Sequence, residues 1–219
     1  MGNIQVNHSL DPDRRILHYM SFYDLIELLK FNQAFFTPVE RPQRQSILKA
    51  AEKWHRPATK GAITLQSWSI PAEENLADWG EHASTQPRVC IVSSIRALAQ
   101  SLFTDDTTSI FIEPARHPGA VRKTAAGAPP AARRPAVRPD GLCAIAVSHA
   151  VPTCSSIKPS GMHLLVDLKT LLAGVIVPPD ASVRFMDLVS KLVQESAWVS
   201  VTRASRMRQA RAGGFSTGP

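Results

Sequence analysis

Between Pro114 and Pro139 the chain reads PARHPGAVRKTAAGAPPAARRPAVRP, built almost wholly from Ala, Pro, Arg and Gly. It carries no acidic or aromatic residue, and only Val121 and Val137 are sizeable apolar side chains. Such a stretch buries too little apolar surface to offset the entropy cost of ordering it. The segments on either side, by contrast, carry helix caps and alternating apolar residues. The expected organisation is one domain over 1–219, with patterned blocks at 15–113 and 157–202. Residues 114–156 read as irregular or disordered, and 203–219 as a disordered basic tail. Two origins fit the irregular segment: out-of-frame translation of a GC-rich gene, or a natural disordered insertion.

The same stretch explains the charge. The net charge is +7, yet residues 114–139 hold six unopposed Lys and Arg, and the tail adds Arg203, Arg206, Arg208 and Arg211. The rest of the chain is mildly acidic. Basic charge argues for a polyanion partner when it lies on an ordered face, and here it lies in two irregular segments. A nucleic-acid partner is therefore not expected. Cys90, Cys143 and Cys154 are odd in number and hold no CxxC pair, which points to a reducing compartment. The opening residues contain no apolar run of a secretory signal. The longest such run, Leu171 to Val177, is far too short to span a membrane. A cytoplasmic protein without a membrane partner is expected.

The apolar pattern predicts a strand over 16–20. A helix follows, capped by Ser21 with Asp24 three residues on, and Phe22, Leu25, Ile26 and Leu29 lie on one face. Further strands are expected at 34–37, 62–70, 88–92, 110–112, 162–166, 175–177 and 198–202. Within 62–70, Ile63 and Leu65 alternate with Thr64 and Gln66 as in a half-buried strand. Helices are expected at 43–54, after Pro71, after Ser94, after Asp167 and after Asp180. Strands and helices intermix with connections too short for regular βαβ crossovers. The fold class is α+β: a mixed β-sheet flanked by amphipathic helices.

Three blocks then resemble a family: LHYMSFYDLIELLKFNQAFFTP (17–38), SWSIPAEENLADWGEHASTQPRVCIVSSIRALAQSL (67–102) and SGMHLLVDLKTLLAGVIVPPDASVRFMDLVSKLV (160–193). Their order and content are similar to the bacterial domain-of-unknown-function family 2971. That resemblance implies an opening strand, a Tyr-rich turn and helix, a Trp–acid–Trp passage, and a closing Val-Asp-Leu segment with a helix. Between the second and third blocks the family carries a Glu-rich, Arg-containing strand. Here the only acidic residue from Pro114 to Ser160 is Asp140.

Two groups stand out as ligand-binding candidates. Trp68, Glu74 and Trp79 place two indoles and a carboxylate around a strand-to-helix turn, where they would stack on and hydrogen-bond a planar or sugar-like small molecule. The same letters also fit two core indoles and a first-turn acid. His18, Tyr19 and Ser21 resemble the entrance of ADP-ribosyltransferase domains. That resemblance implies a His and a small hydroxyl holding nicotinamide-adenine dinucleotide, and a strand-borne Glu later in the chain, in the region of the irregular segment. A packing His18 and an N-cap Ser21 explain the same residues. Cys143, His149, Cys154 and His163 match no zinc spacing, and no phosphate-cradling loop or nucleophile elbow is present. No metal and no cofactor are expected. The leading expectation is a ligand-binding or regulatory domain without catalysis. The alternatives are a degenerate ADP-ribosyltransferase-like enzyme using nicotinamide-adenine dinucleotide, and a weak non-specific nucleic-acid binder.

Overall fold

A computed structural model describes residues 3–39, 62–71, 79, 87–114, 141–148 and 161–204. The strands are β1 (Asn3–Val6), β2 (Arg15–Ser21), β3 (Gln33–Pro38), β4 (Ala62–Ser69) and β5 (Arg88–Ser94), followed by β6 (Thr108–Pro114), β7 (Gly141–Ser148), β8 (Met162–Leu165), β9 (Gly174–Val177) and β10 (Val201–Arg203). The helices are α1 (Phe22–Phe31), α2 (Ile95–Ser101), α3 (Leu168–Leu171) and α4 (Val183–Ser196). The strands form one mixed sheet in the order β1-β6-β7-β4-β2-β5-β9-β10, with β3 attached to β4 and β8 attached to β3. The β1–β6 and β9–β10 pairs are parallel and the others antiparallel. The α+β class expected from the pattern is the fold observed. Among the described residues no helix is long and apolar enough to cross a membrane.

One face of the sheet packs on the helices. Ile16, Met20, Trp68, Ile91, Ile112, Leu142 and Val175 meet Leu25 and Leu28 of α1, Ile95 and Leu98 of α2, Leu171 of α3, and Val189 and Val193 of α4 in one cluster. Alternate residues of the same strands form two smaller clusters on the other face. Leu17, Cys90 and Ile176 make one, joined by Tyr19 and Trp79; Ile63, Phe111, Ile145 and Val147 make the other. Sheet residues buried on both faces also explain a correction in β4. Thr64 and Gln66, read as the solvent side of a half-buried strand, are buried, whereas Leu65 is only half-buried.

The largest correction concerns the irregular segment. Residues 141–148 fall inside the 114–156 stretch expected to lack structure, yet they form β7 at the heart of the sheet. From Gly141 to Ser148, β7 pairs with all of β4, and from Leu142 to Ser148 with all of β6. Leu142, Ala144 and Ala146 fill the helix-covered face and Ile145 and Val147 the opposite one. A strand buried on both faces shows no alternation, so GLCAIAVS gave no period-two signal.

Smaller differences follow local chemistry. Ser182, not Asp180, caps α4, its hydroxyl accepting the Phe185 N–H at 3.1 Å. Trp198, placed by sequence in the last strand, has a left-handed backbone (φ 56°) and precedes β10. The expected helices over 43–54 and after Pro71 lie outside the described residues, apart from Trp79.

Candidate functional site

β2 and β3 approach the same edge of β4 and fork apart. β2 meets β4 at one register pair, Leu17 with Ser69, although it pairs along its whole length with β5. β3 meets β4 further along, at Thr37–Leu65 and Pro38–Thr64. Between these contacts the edge of β4 is tied down by side chains. Thr37 Oγ1 donates to the Leu65 carbonyl at 3.0 Å, Gln66 Nε2 donates to the Phe35 carbonyl at 3.4 Å, and the His18 ring reaches the Ser67 carbonyl at 2.7 Å.

His18 is the titratable group at this fork. It follows Leu17, the last β2 residue paired with β4, and shares a face with Ile16 and Met20 because strand side chains alternate. Its ring is half-buried and lies against Trp68, with centroids 5.1 Å apart and planes tilted by 34°. A carbonyl oxygen only accepts, so Nδ1 must carry the hydrogen in the bond to Ser67. Burial holds the imidazole below the usual histidine value. The Ser67 carbonyl and the Asp24 carboxylate pull the other way without prevailing. The result is a neutral ring with Nδ1–H anchored and the Nε2 lone pair free to accept.

Ser21 stands three residues on, at the start of α1. Its hydroxyl accepts the Asp24 N–H at 3.1 Å and donates to Asp24 Oδ2 at 2.7 Å, and Asp24 Oδ2 also accepts the Ser21 N–H at 3.2 Å. This is a complete capping box, so the hydroxyl serves the helix. It fixes the start of α1 three residues after His18.

The other candidates do not converge there. Trp68 is buried and its Nε1–H donates to Gln66 Oε1 at 3.1 Å, leaving no indole face for a ligand. Trp79 sits on the opposite face, edge-on to Tyr19 with centroids 5.2 Å apart. The sheet therefore separates the two indoles expected to flank one turn, and it separates Tyr19 from His18. Glu74 lies outside the described residues.

Among the described residues no strand places a carboxylate facing His18. β7, which occupies the region where a strand-borne Glu was expected, has no acidic residue. Glu113 of β6 pairs with Cys143, which in turn pairs with Ser67, so it projects with the face opposite His18; its Oε2 accepts from Asn7 Nδ2 at 2.6 Å. Burial pushes the Cys143 thiol up despite a hydrogen bond with Ser67, which disfavours the thiolate. Cys143 and His163 lie on β7 and β8, His149 and Cys154 outside the described residues, and no three metal-ligating groups come together among those described.

Sequence reasoning missed Gln66, Ser67 and Asp24 as partners of His18. Gln66 could have been noticed as an amide two residues before a Trp in an apolar strand. Ser67 acts through its backbone, which leaves no signature in the side-chain pattern.

No protein-family model and no curated protein matches the chain. Solved structures of Thermus sp. 2.9 DarT are similar to it. The complex with carba-NAD+ shares 11% identity over 89% of this chain and 97% of that one, with a TM-score of 0.43. The complex with NAD+ shares 11% over 89% and 96%, at 0.42. The complex with ADP-ribosylated ssDNA shares 13% over 89% and 95%, also at 0.42. The expectation of a binding or regulatory domain without catalysis finds no support in these matches, which are complexes with NAD+, its carba analogue and ADP-ribosylated ssDNA. The expectation of no nucleic-acid partner likewise finds no support among them.

Proposed function

We propose that the chain is an ADP-ribosyltransferase-like protein that takes NAD+ at the fork between β2 and β3. The observation that carries this reading is His18, a neutral imidazole with Nδ1–H fixed on the Ser67 carbonyl at 2.7 Å. The orientation leaves Nε2 as an acceptor where the two strands part, suited to a sugar hydroxyl of the dinucleotide.

The residues present fit binding better than transfer. His18 supplies an acceptor, and the capping box fixes the start of α1 beside it. The carboxylate that such chemistry needs is not on β7, and Glu113 faces away and is engaged by Asn7. No transfer step is assigned to a described residue.

The test is incubation of the protein with adenylate-labelled NAD+, following release of nicotinamide and transfer of label to the protein or to added single-stranded DNA. Consumption that disappears in His18→Ala supports the reading. Consumption unchanged in His18→Ala, or none at any protein concentration, contradicts it.

A further inference from the structure

We infer that Gln66 and Trp68 are positioning residues for His18, linked in a relay that spans the fork from β3 to β2; the inference rests on reading the fork as the dinucleotide site. Trp68 and Gln66 are 3% and 6% exposed, so neither can be a ligand contact. A buried indole N–H needs an acceptor, and Gln66 Oε1 meets it at 3.1 Å. Because the indole nitrogen only donates, the amide oxygen must face it, which turns Gln66 Nε2 toward the Phe35 carbonyl at 3.4 Å. Gln66 is thereby held at both ends, one on β3 and one on Trp68. Trp68 in turn is fixed about its ring plane, and that ring underlies His18. The fourth link is the Ser67 carbonyl, carried on the residue between Gln66 and Trp68, which holds Nδ1–H at 2.7 Å.

Three consecutive residues of β4 thus set the place, tilt and tautomer of one imidazole. Ser67 fixes the proton, Trp68 supports the ring, and Gln66 locks Trp68. An apolar side chain at 66 would fill the same volume but leave the indole N–H free to turn in search of an acceptor. The ring above it would lose its fixed support, and His18 could then leave the Ser67 carbonyl. Asp24 is the charged group that also acts on His18, and it is anchored independently by the Ser21 cap.

The experiment is nitrogen-15 NMR of the His18 ring in the ligand-free wild type, in Gln66→Met and in Trp68→Phe, followed by NAD+ titration of each. The wild type should show a single Nδ1–H tautomer. In both variants the Nε2–H tautomer should grow, and NAD+ affinity should fall roughly tenfold, the equivalent of one hydrogen bond. The double variant should lose no more than either single one, because both break the same chain. Trp68→Phe keeps an aromatic ring in the core, so it carries the test if Gln66→Met does not fold. An unchanged His18 tautomer in folded Trp68→Phe, or additive losses in the double variant, would overturn the relay. A tautomer shift in the variants, with no His18 signal in the wild type moved by NAD+, upholds the relay and overturns the dinucleotide reading alone.

Discussion

The His18 and Trp68 rings lie 5.1 Å apart with planes tilted by 34°, across the point where β2 and β4 separate. That contact joins a half-buried titratable group to a fully buried anchor. It also places the ring on the helix-covered face of the sheet rather than on the face that carries Tyr19, Trp79 and Glu113. The consequences for stability and binding can be measured separately.

The first concerns pH. Burial holds the folded His18 below its ordinary 6.5, so over the window between that depressed value and 6.5 the unfolded chain binds a proton that the folded chain refuses. Stability should fall as pH drops through the window and level off beneath it. The shifted carboxylates Asp13, Asp105 and Asp167 titrate below 3.8 and act outside this range. Urea titrations at pH 7.5 and 5.5 should show this slope in the wild type and a smaller one in His18→Gln.

Helix α4 separates two candidate caps. Ser182→Ala should cost about 1 kcal/mol, the usual loss for an N-cap hydroxyl. Asp180→Ala, two residues before the cap, should change stability by less than about 0.5 kcal/mol, as surface substitutions do. Chemical denaturation of the two variants side by side distinguishes them; equal losses would return the cap to Asp180.

Gly161 leads into β8 with φ +99°, and a Cβ there would stand 2.4 Å from the Phe35 ring and 2.9 Å from the Phe36 carbonyl. Phe35 could turn aside, but the carbonyl and the left-handed backbone cannot be relieved as easily. Gly161→Ala should therefore destabilise by about 1–3 kcal/mol. Thermal unfolding measures it, and a neutral result would mean that β3 and β8 are not held in this register.

Strand β7 should be among the slowest-exchanging parts of the chain, because it is paired on both edges. Hydrogen exchange followed by NMR or mass spectrometry should show strong protection over 142–147. Exchange there at the rate of an open chain would mean that β4 and β6 are not joined.

Much of this fold can be read from the sequence where one face is apolar and the other polar. The capping box at Ser21 and Asp24, the i, i+3, i+4 pattern of α1, the start of α2 after Ser94, and the Asp167 cap of α3 are local chemistry, and each stands where the pattern places it. β7 is not legible in this way, since its Ala and Val side chains serve two cores and it follows a run of Arg and Pro. Asp180 looks as good a cap as Ser182, because both residue types cap helices and the choice depends on where the backbone turns helical, which is set by the packing of Val189 and Val193 in the core. At the site, His18 is evident as a residue type, but its role depends on a backbone carbonyl of another strand. Trp68 and Trp79 look like a pair eleven residues apart, and only the sheet between them shows that they are not. The fork itself follows from which strands share an edge of β4, a tertiary fact with no local signal.

The most direct test of the account is calorimetric titration of NAD+ into the wild type and His18→Ala at pH 7.5, where the imidazole is neutral. The account predicts saturable binding to the wild type and a loss on the order of tenfold or more in the variant, corresponding to one hydrogen bond to a well-placed acceptor. Equal affinity in a folded His18→Ala, or no binding to the wild type, would contradict it.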